Sequence, residues 1–323
     1  MTTDEWLNRY YALNQSFSKR LIFRLGVDSG FFSEYNNMLL ALLYCLKHGI
    51  RFELYSDHTH FALRDGWNDF FVPFGAANTQ RINKDYNLRP YIIEQSKEAP
   101  LQKLVKYCYI TAAYKLLFGV DYLTQDLWAH HRNPSFAHTT FTIPELGFEQ
   151  TPLLEATQWF IKALWNYNQP SGQAIAQLTQ TVVLPAEYIS LHIRAGDKFT
   201  ETKMYDFSEY MVPATRFSAN QTAFVMTDDY TVVEQLRKQY TDWQFHTLCL
   251  PSERGYFHKA FVKQDRQAKY QHHLQLFAAI DITAGATKFI GTYNSNPGMY
   301  MGMRIGPERC FCLDSDEWVL IQL

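Results

Sequence analysis

Three clusters of polar residues stand where chemistry could be done, each directly after an apolar run of strand type. The first is His192, Arg194, Gly196, Asp197, Lys198 and Glu201 in "HIRAGDKFTE". The second is Thr227, Asp228 and Asp229 after "TAFVM", and the third is Thr292, Asn294, Ser295 and Asn296 in "TYNSN" after "KFIG". Arg194 would offer a planar fork of donors suited to a phosphate. Gly196 would let backbone come close to a ligand, and Lys198 would add a second cation. Hydroxyls and amides at 292–296, near a helix start, would cap the same phosphate with neutral donors. Carboxylates repel phosphate, so Asp228 and Asp229 would serve another end of the ligand, where a guanine ring offers adjacent N–H donors. The set describes a nucleoside-diphosphate site built without a Walker loop, since neither GxxxxGK[ST] nor GxGxxG occurs.

Each cluster alone has a plainer reading. An arginine and an aspartate after a strand commonly form a structural ion pair. Thr-Asp-Asp before a helix is commonly an N-cap. "YNSNPG" is an ordinary turn, and a lone strand histidine is more often a core residue than a catalyst. Their common placement sets them apart. In parallel α/β sheets ligands bind beyond the carboxyl ends of the strands, so all three clusters should converge at one edge of one sheet.

The elements that must position them alternate along the chain. "RLIFRLG" (20–26) and "RFELYS" (51–56) read as strands on either side of a helix over 33–49. Ser33 is its expected N-cap, Lys47 and His48 lie in its last turn, and Gly49 follows. Residues 100–167 carry apolar residues at helical intervals, and 168–186 reads as a turn-rich linker. Strands follow at 188–194, 222–227, 244–250, 288–292 and 309–314, with a long helix over 266–286. Short apolar strands separated by helices imply parallel sheets. The expected domains are 1–183, an α/β domain with a helical insertion, and 184–323, a Rossmann-like domain.

Composition narrows the partners. Of 323 residues, 47% are hydrophobic and 19% charged, enough to bury a sizeable core. The net charge of −2 argues against a nucleic-acid partner, which would call for a basic excess. Aromatic residues make up 16%. Flat rings stack on carbohydrate and nucleobase, yet core packing is the better account for most of them. The five cysteines are odd in number and contain no CxxC, which points to reduced thiols. The histidine pairs lack zinc-ligand spacing, so no metal is expected. The N-terminus has acids and aromatics where a signal peptide needs a basic start and an apolar run. No segment approaches the length of a membrane span. The expectation is a cytoplasmic protein with no membrane span, for which only peripheral membrane association remains open.

The motifs resemble those of the GDP-fucose-dependent fucosyltransferases, and most of all the α-1,6 group. "HIRAGDKFTETKMYDFSEYM" (192–211) looks like the donor-site motif. "VMTDDYTVVEQLRKQY" (225–240) looks like the second motif, "FIGTYNSNPG" (289–298) like the third, and "GFFSEYNNMLLALLYC" (30–45) like the N-terminal Gly-aromatic loop and helix. The resemblance is strongest over about residues 186–315. It implies a GT-B fold, two Rossmann-like domains facing a cleft, with the nucleotide-sugar donor in the C-terminal domain and a glycan acceptor held by the N-terminal one. It implies inverting transfer of fucose from GDP-fucose without metal or other cofactor. By resemblance Arg194 grips the donor phosphates with His192 beside it, Asp228 belongs to the guanosine pocket, and Ser295 is a phosphate-binding hydroxyl. Glu201 matches the acceptor's general base and Lys198 the lysine near it. Gly30, Glu34, Asn36 and Asn37 are candidates for lining the acceptor side, with helix capping as the competing account. Ala195 stands where the animal enzyme has a second arginine. The aspartate of the helix before the third motif falls on Ala279, with Asp281 two positions late. A transferase of the same fold using another GDP- or UDP-sugar, and a non-catalytic nucleotide- or glycan-binding module, are the alternatives.

Overall fold

Strand β1 (Lys19–Arg24) lies parallel to β2 (Ile50–Tyr55), in a register that runs from Lys19 opposite Ile50 to Arg24 opposite Tyr55. The helix Phe31–His48 makes the crossover between them. This geometry comes from a computed structural model, which describes residues 1–195 and 205–315. The chain divides into two units, Met1–Asn166 and a second beginning at Tyr167.

The first unit is built on a four-stranded parallel sheet. Short strands β3 (Ala76–Ala77) and β4 (Tyr122–Leu123) flank the β2–β1 pair in the order β3-β2-β1-β4. A small antiparallel ladder, β5 (Thr140–Ile143) with β6 (Phe148–Pro152), stands apart from it. Gly49 closes the crossover helix in the left-handed conformation, as its position in the sequence predicts. The helix begins earlier than expected, with Gly30 at the cap in place of Ser33. Packing sets that start: Phe31 meets Phe61, Phe71 and Trp165, and Phe32 stacks on Trp165, which draws both phenylalanines into the first turn. Much of the aromatic excess is spent here as core. Trp6, Tyr10, Tyr35, Tyr55, Phe61, Trp67, Phe70 and Phe71 are all fully buried.

The second unit holds five parallel strands: β7 (Ile189–Ile193), β8 (Thr222–Thr227), β9 (Gln244–His246), β10 (Lys288–Gly291) and β11 (Cys310–Cys312). Their spatial order is β11-β10-β7-β8-β9. Because the chain moves outward from β7 to β9 on one side and returns to β10 on the other, this is a doubly wound sheet, and its topological switch point falls between β7 and β10. All five residues of β7 are buried, as a central parallel strand requires. Ile189, Leu191, Val225, Phe245 and Ile290 share one core with Tyr210 and Leu236 from the covering helices.

The structure corrects three segment expectations. Residues 168–186 are largely helical: Gln169–Gln180 forms a helix that packs on the long helix Arg266–Gly285. The cue was present in Asn168, whose side chain accepts from the Ser171 N–H at 2.9 Å, and in Pro170 of the first turn. That packing sets residues 167–183 with the second unit. Strand β9 stops at His246, because the Thr247 hydroxyl turns to the Val225 carbonyl and also accepts the Cys249 N–H. Strand β11 covers only Cys310–Cys312 of the expected 309–314.

Candidate functional site

The described residues of all three clusters lie at the carboxyl edge of the second sheet. Ile193 of β7 is in register with Thr227 of β8, so Arg194 and Asp228 leave adjacent strands side by side. Leu191 of β7 is in register with Ile290 of β10, which brings the turn at 292–295 to the same edge across the switch point.

Asp228 organises this edge. One carboxylate oxygen accepts the Ala195 N–H at 2.8 Å, and the other accepts the Tyr256 N–H at 3.0 Å. Its carbonyl accepts the Gly255 N–H at 2.8 Å. The same carboxylate lies 3.8 Å from Nε of Arg194, a loose pairing of two partly exposed groups. The Arg194 guanidinium also stands 5.6 Å from the Tyr256 ring centroid, within cation–π range. Tyr256 stacks in turn on His272, at 5.9 Å. Burial pushes the His272 imidazole below its ordinary pKa. Glu253 and Asp228 pull it partly back, and Arg194 adds to the lowering.

His192, Asp229 and Ser295 are each engaged within the fold. His192 is buried and stacks on Phe289 of β10, which favours the core reading. Asp229 caps the helix Tyr230–Gln239, accepting from the Thr231 N–H at 2.9 Å and its hydroxyl at 2.8 Å. Ser295 caps the helix Asn296–Ile305: its hydroxyl donates to the Thr292 carbonyl at 2.9 Å and accepts the Gly298 N–H at 3.1 Å. That turn requires glycine at 298, where a Cβ would lie 2.0 Å from the Thr292 carbonyl oxygen. The backbone N–H groups of Tyr293 and Asn294 both point at Asp314, at 2.6 and 2.8 Å. Two of the amides expected to face phosphate therefore carry a carboxylate of the chain itself. Gly196, Asp197, Lys198 and Glu201 lie outside the described residues.

Sequence reasoning missed Tyr256, His272 and Asp314. Applying the strand-end rule to all five strands would have reached two of them: Tyr256 lies in the loop after β9, and Asp314 follows β11. His272 carries no such signal. Asp281 pairs with Arg304 at 2.7 Å and accepts from the Tyr167 hydroxyl at 2.9 Å, so it braces two helices and the chain segment before 169.

In the first unit, Gly30, Glu34, Asn36 and Asn37 gather at the start of the helix Phe31–His48. Gly30 is exposed with φ −57°, a conformation open to any residue. Glu34 is fully buried and accepts the N–H groups of Gly26 at 2.9 Å and Ser29 at 3.2 Å. It pairs with Arg89 at 2.5 Å. Burial raises the Glu34 carboxyl, while Arg89 and the two N–H donors pull it down. Gly26 has φ +71°, and a Cβ there would meet Thr59 at 2.4 Å, so only glycine fits. The Asn37 amide donates to the Ser33 carbonyl at 2.7 Å and accepts from Arg132 at 2.6 Å, and Asn36 is buried beside it. Glu34 holds the loop after β1 in shape. Among the described residues no group of three or more His, Cys, Asp or Glu is arranged to hold a metal ion, and no helix is long and apolar enough to cross a membrane.

A doubly wound parallel sheet in one unit and a second parallel α/β sheet in the other match the GT-B fold class of the structures this chain resembles. Within that class the chain is similar to solved GDP-fucose-dependent fucosyltransferases. A NodZ alpha-1,6-fucosyltransferase soaked with GDP-fucose superposes with a TM-score of 0.52 at 12% identity, covering 89% of this chain and 93% of that one. Fucosyltransferase NodZ from Bradyrhizobium gives a TM-score of 0.50 at 11% identity, covering 92% and 96%. At such identity the likeness is one of fold, and it falls on the group that the sequence motifs resemble. No protein-family model matches the chain, and neither does any curated protein.

Proposed function

We propose that this chain is an inverting, metal-independent fucosyltransferase of the cytoplasm that moves fucose from GDP-fucose to a glycan acceptor. The observation that carries the proposal is the position of Arg194, at the end of the central strand and next to the switch point, beside Asp228 and partly exposed. Five unpaired thiols support a reducing compartment.

In this reading the bond between C1 of fucose and the β-phosphate oxygen breaks as the acceptor hydroxyl attacks C1 from the opposite face. Charge builds on the leaving diphosphate, and Arg194 stabilises it, helped by Lys198 in the role the family motif implies. The acceptor's proton passes to Glu201, the general base implied by the family motif. Asp228 acts on Arg194 and on the loop after β9, since its oxygens already hold two backbone N–H groups.

The test is a thermal-shift screen of GDP, UDP, CDP and their sugars, followed by donor turnover. GDP and GDP-fucose should raise the melting temperature by mass action, and Arg194→Ala should abolish that shift with little change in the unliganded melting temperature. Preferential stabilisation by UDP would reassign the donor. Donor binding without transfer or hydrolysis would make the chain a binding module.

A further inference from the structure

Between its third and fourth strands the first unit turns an apolar face to solvent. The helical turn Pro100–Leu104, the π-helical stretch Val105–Ile110 and the helix Thr111–Phe118 run on without a break. One face holds them to the unit: Thr111 and Tyr114 are buried, and Tyr114 packs with Ile22, Tyr55 and Leu123. The opposite face carries Leu101, Leu104, Val105, Tyr109, Leu116 and Leu117, all exposed, with Leu116 at 86% and Leu117 at 77%. Cys108 lies on it as well. This stripe extends for roughly 25 Å at the rise of a helix. Isolated apolar side chains on a surface need no explanation, but a continuous face of this length does.

The charge around the stripe identifies the occupant. Between positions 81 and 119 the chain carries seven Lys or Arg against three Asp or Glu, whereas the whole chain carries 30 against 32. Lys103, Lys106 and Lys115 flank the stripe, and no acid occurs from 99 to 120. Lys106 reaches Glu98 and Lys115 reaches Asp126, at 2.7 and 2.6 Å, and both pairs are partly exposed. Lys103 donates to the Glu94 carbonyl at 2.9 Å. A two-fold contact with a second copy would set this basic rim against itself. An anionic bilayer attracts the rim and accepts the apolar face. Tyr109 suits the headgroup boundary, where amphipathic rings collect.

We infer that the helical face 101–118 docks the protein onto an anionic membrane surface, with its leucines buried at the headgroup boundary and its lysines among the phosphates. The inference does not depend on which sugar the second unit binds, and its test reads no transfer activity.

The full chain is sedimented with vesicles of phosphatidylcholine alone and of phosphatidylcholine mixed with phosphatidylglycerol. The wild type should pellet with the mixed vesicles, more weakly at high salt, and stay in solution with the neutral ones. Leu116→Ser/Leu117→Ser should weaken partitioning about tenfold or more, and Lys103→Gln/Lys106→Gln should weaken it on anionic vesicles. Both variants should keep the wild-type melting temperature, because their side chains are exposed or lie at the rim. Leu116→Trp gives an independent readout, a blue shift of the variant's emission on mixed vesicles. The inference is overturned by a wild type that ignores both vesicles, by binding that survives Leu116→Ser/Leu117→Ser, or by a Leu116→Trp variant whose emission does not move. A lipid-free dimer that the leucine variants dissociate, with no vesicle binding, would also overturn it and would assign the face to self-association.

Discussion

The two parallel sheets meet the same problem, an arginine and a carboxylate gathered where a strand gives way to a loop, and they solve it in opposite ways. Beyond β1, Arg89 and Glu34 are 2.5 Å apart, with 2% and 0% of their side chains exposed. Glu34 also takes two backbone N–H groups, and Arg89 stacks on Trp128 at 4.7 Å. Beyond β7, Arg194 and Asp228 are 3.8 Å apart, with 24% and 15% exposed. The first pair is sealed and its charges are spent on each other. The second leaves the guanidinium partly exposed, with an aromatic ring 5.6 Å away. Tightness here separates scaffold from site better than residue type does.

That contrast makes its largest prediction about stability. Glu34→Ala should cost about 3–5 kcal/mol, because it strands a buried guanidinium. Chemical denaturation should show the loss as a fall in midpoint at unchanged slope. The equivalent cut at the second sheet should act on chemistry instead. Arg194→Ala should lower donor turnover about a hundredfold to a thousandfold, or about 3–4 kcal/mol of transition-state stabilisation. Its denaturation midpoint should fall less than that of Glu34→Ala, since a partly exposed pair contributes less than a sealed one. If Arg194→Ala unfolds the protein while Glu34→Ala spares it, the contrast is drawn the wrong way round.

How much of this could be read in advance follows from where the signals lie. Strand ends carry local signals, so β7, β8 and β10 and the polar residues behind them were legible from apolar runs and turn chemistry. Hydrogen-bond partners far apart in sequence were not. Asp314 reaches back 21 and 20 residues to Tyr293 and Asn294, and Asp228 reaches forward 28 to Tyr256. Nothing in either segment alone announces those bonds. Arg89 and Glu34 are likewise distant in the chain, and no local pattern joins them. The helix Gln169–Gln180 failed for a different reason: its Asn168 cap and Pro170 are also turn residues, and only packing on Arg266–Gly285 decides between the two outcomes.

Smaller effects sharpen the contrast further. His131 is buried on the sealed side, edge-on to Phe23 and Trp128, and burial pushes its imidazole from 6.5 down to about 3. The folded state therefore resists a proton that the unfolded chain accepts. Stability from this group is complete above the unfolded value and is lost as the pH falls from 6.5 toward 3, at up to about 1.4 kcal/mol per pH unit. His131→Phe should flatten that part of the pH–stability curve. An unchanged slope would mean that the proton is taken up elsewhere.

The smallest effect decides what Ser295 is for. Its hydroxyl caps a helix in this structure, accepting from Gly298 and donating to Thr292, whereas the family motif would have it on a phosphate. The two roles separate experimentally because they load different free energies. A cap contributes to folding and should be worth about 1 kcal/mol, with donor affinity unchanged in Ser295→Ala. A phosphate contact contributes to binding and would appear as a loss of GDP affinity, seen by calorimetry, at nearly constant melting temperature. The buried position of Ser295, with both hydrogen-bonding functions of its hydroxyl engaged, favours the cap.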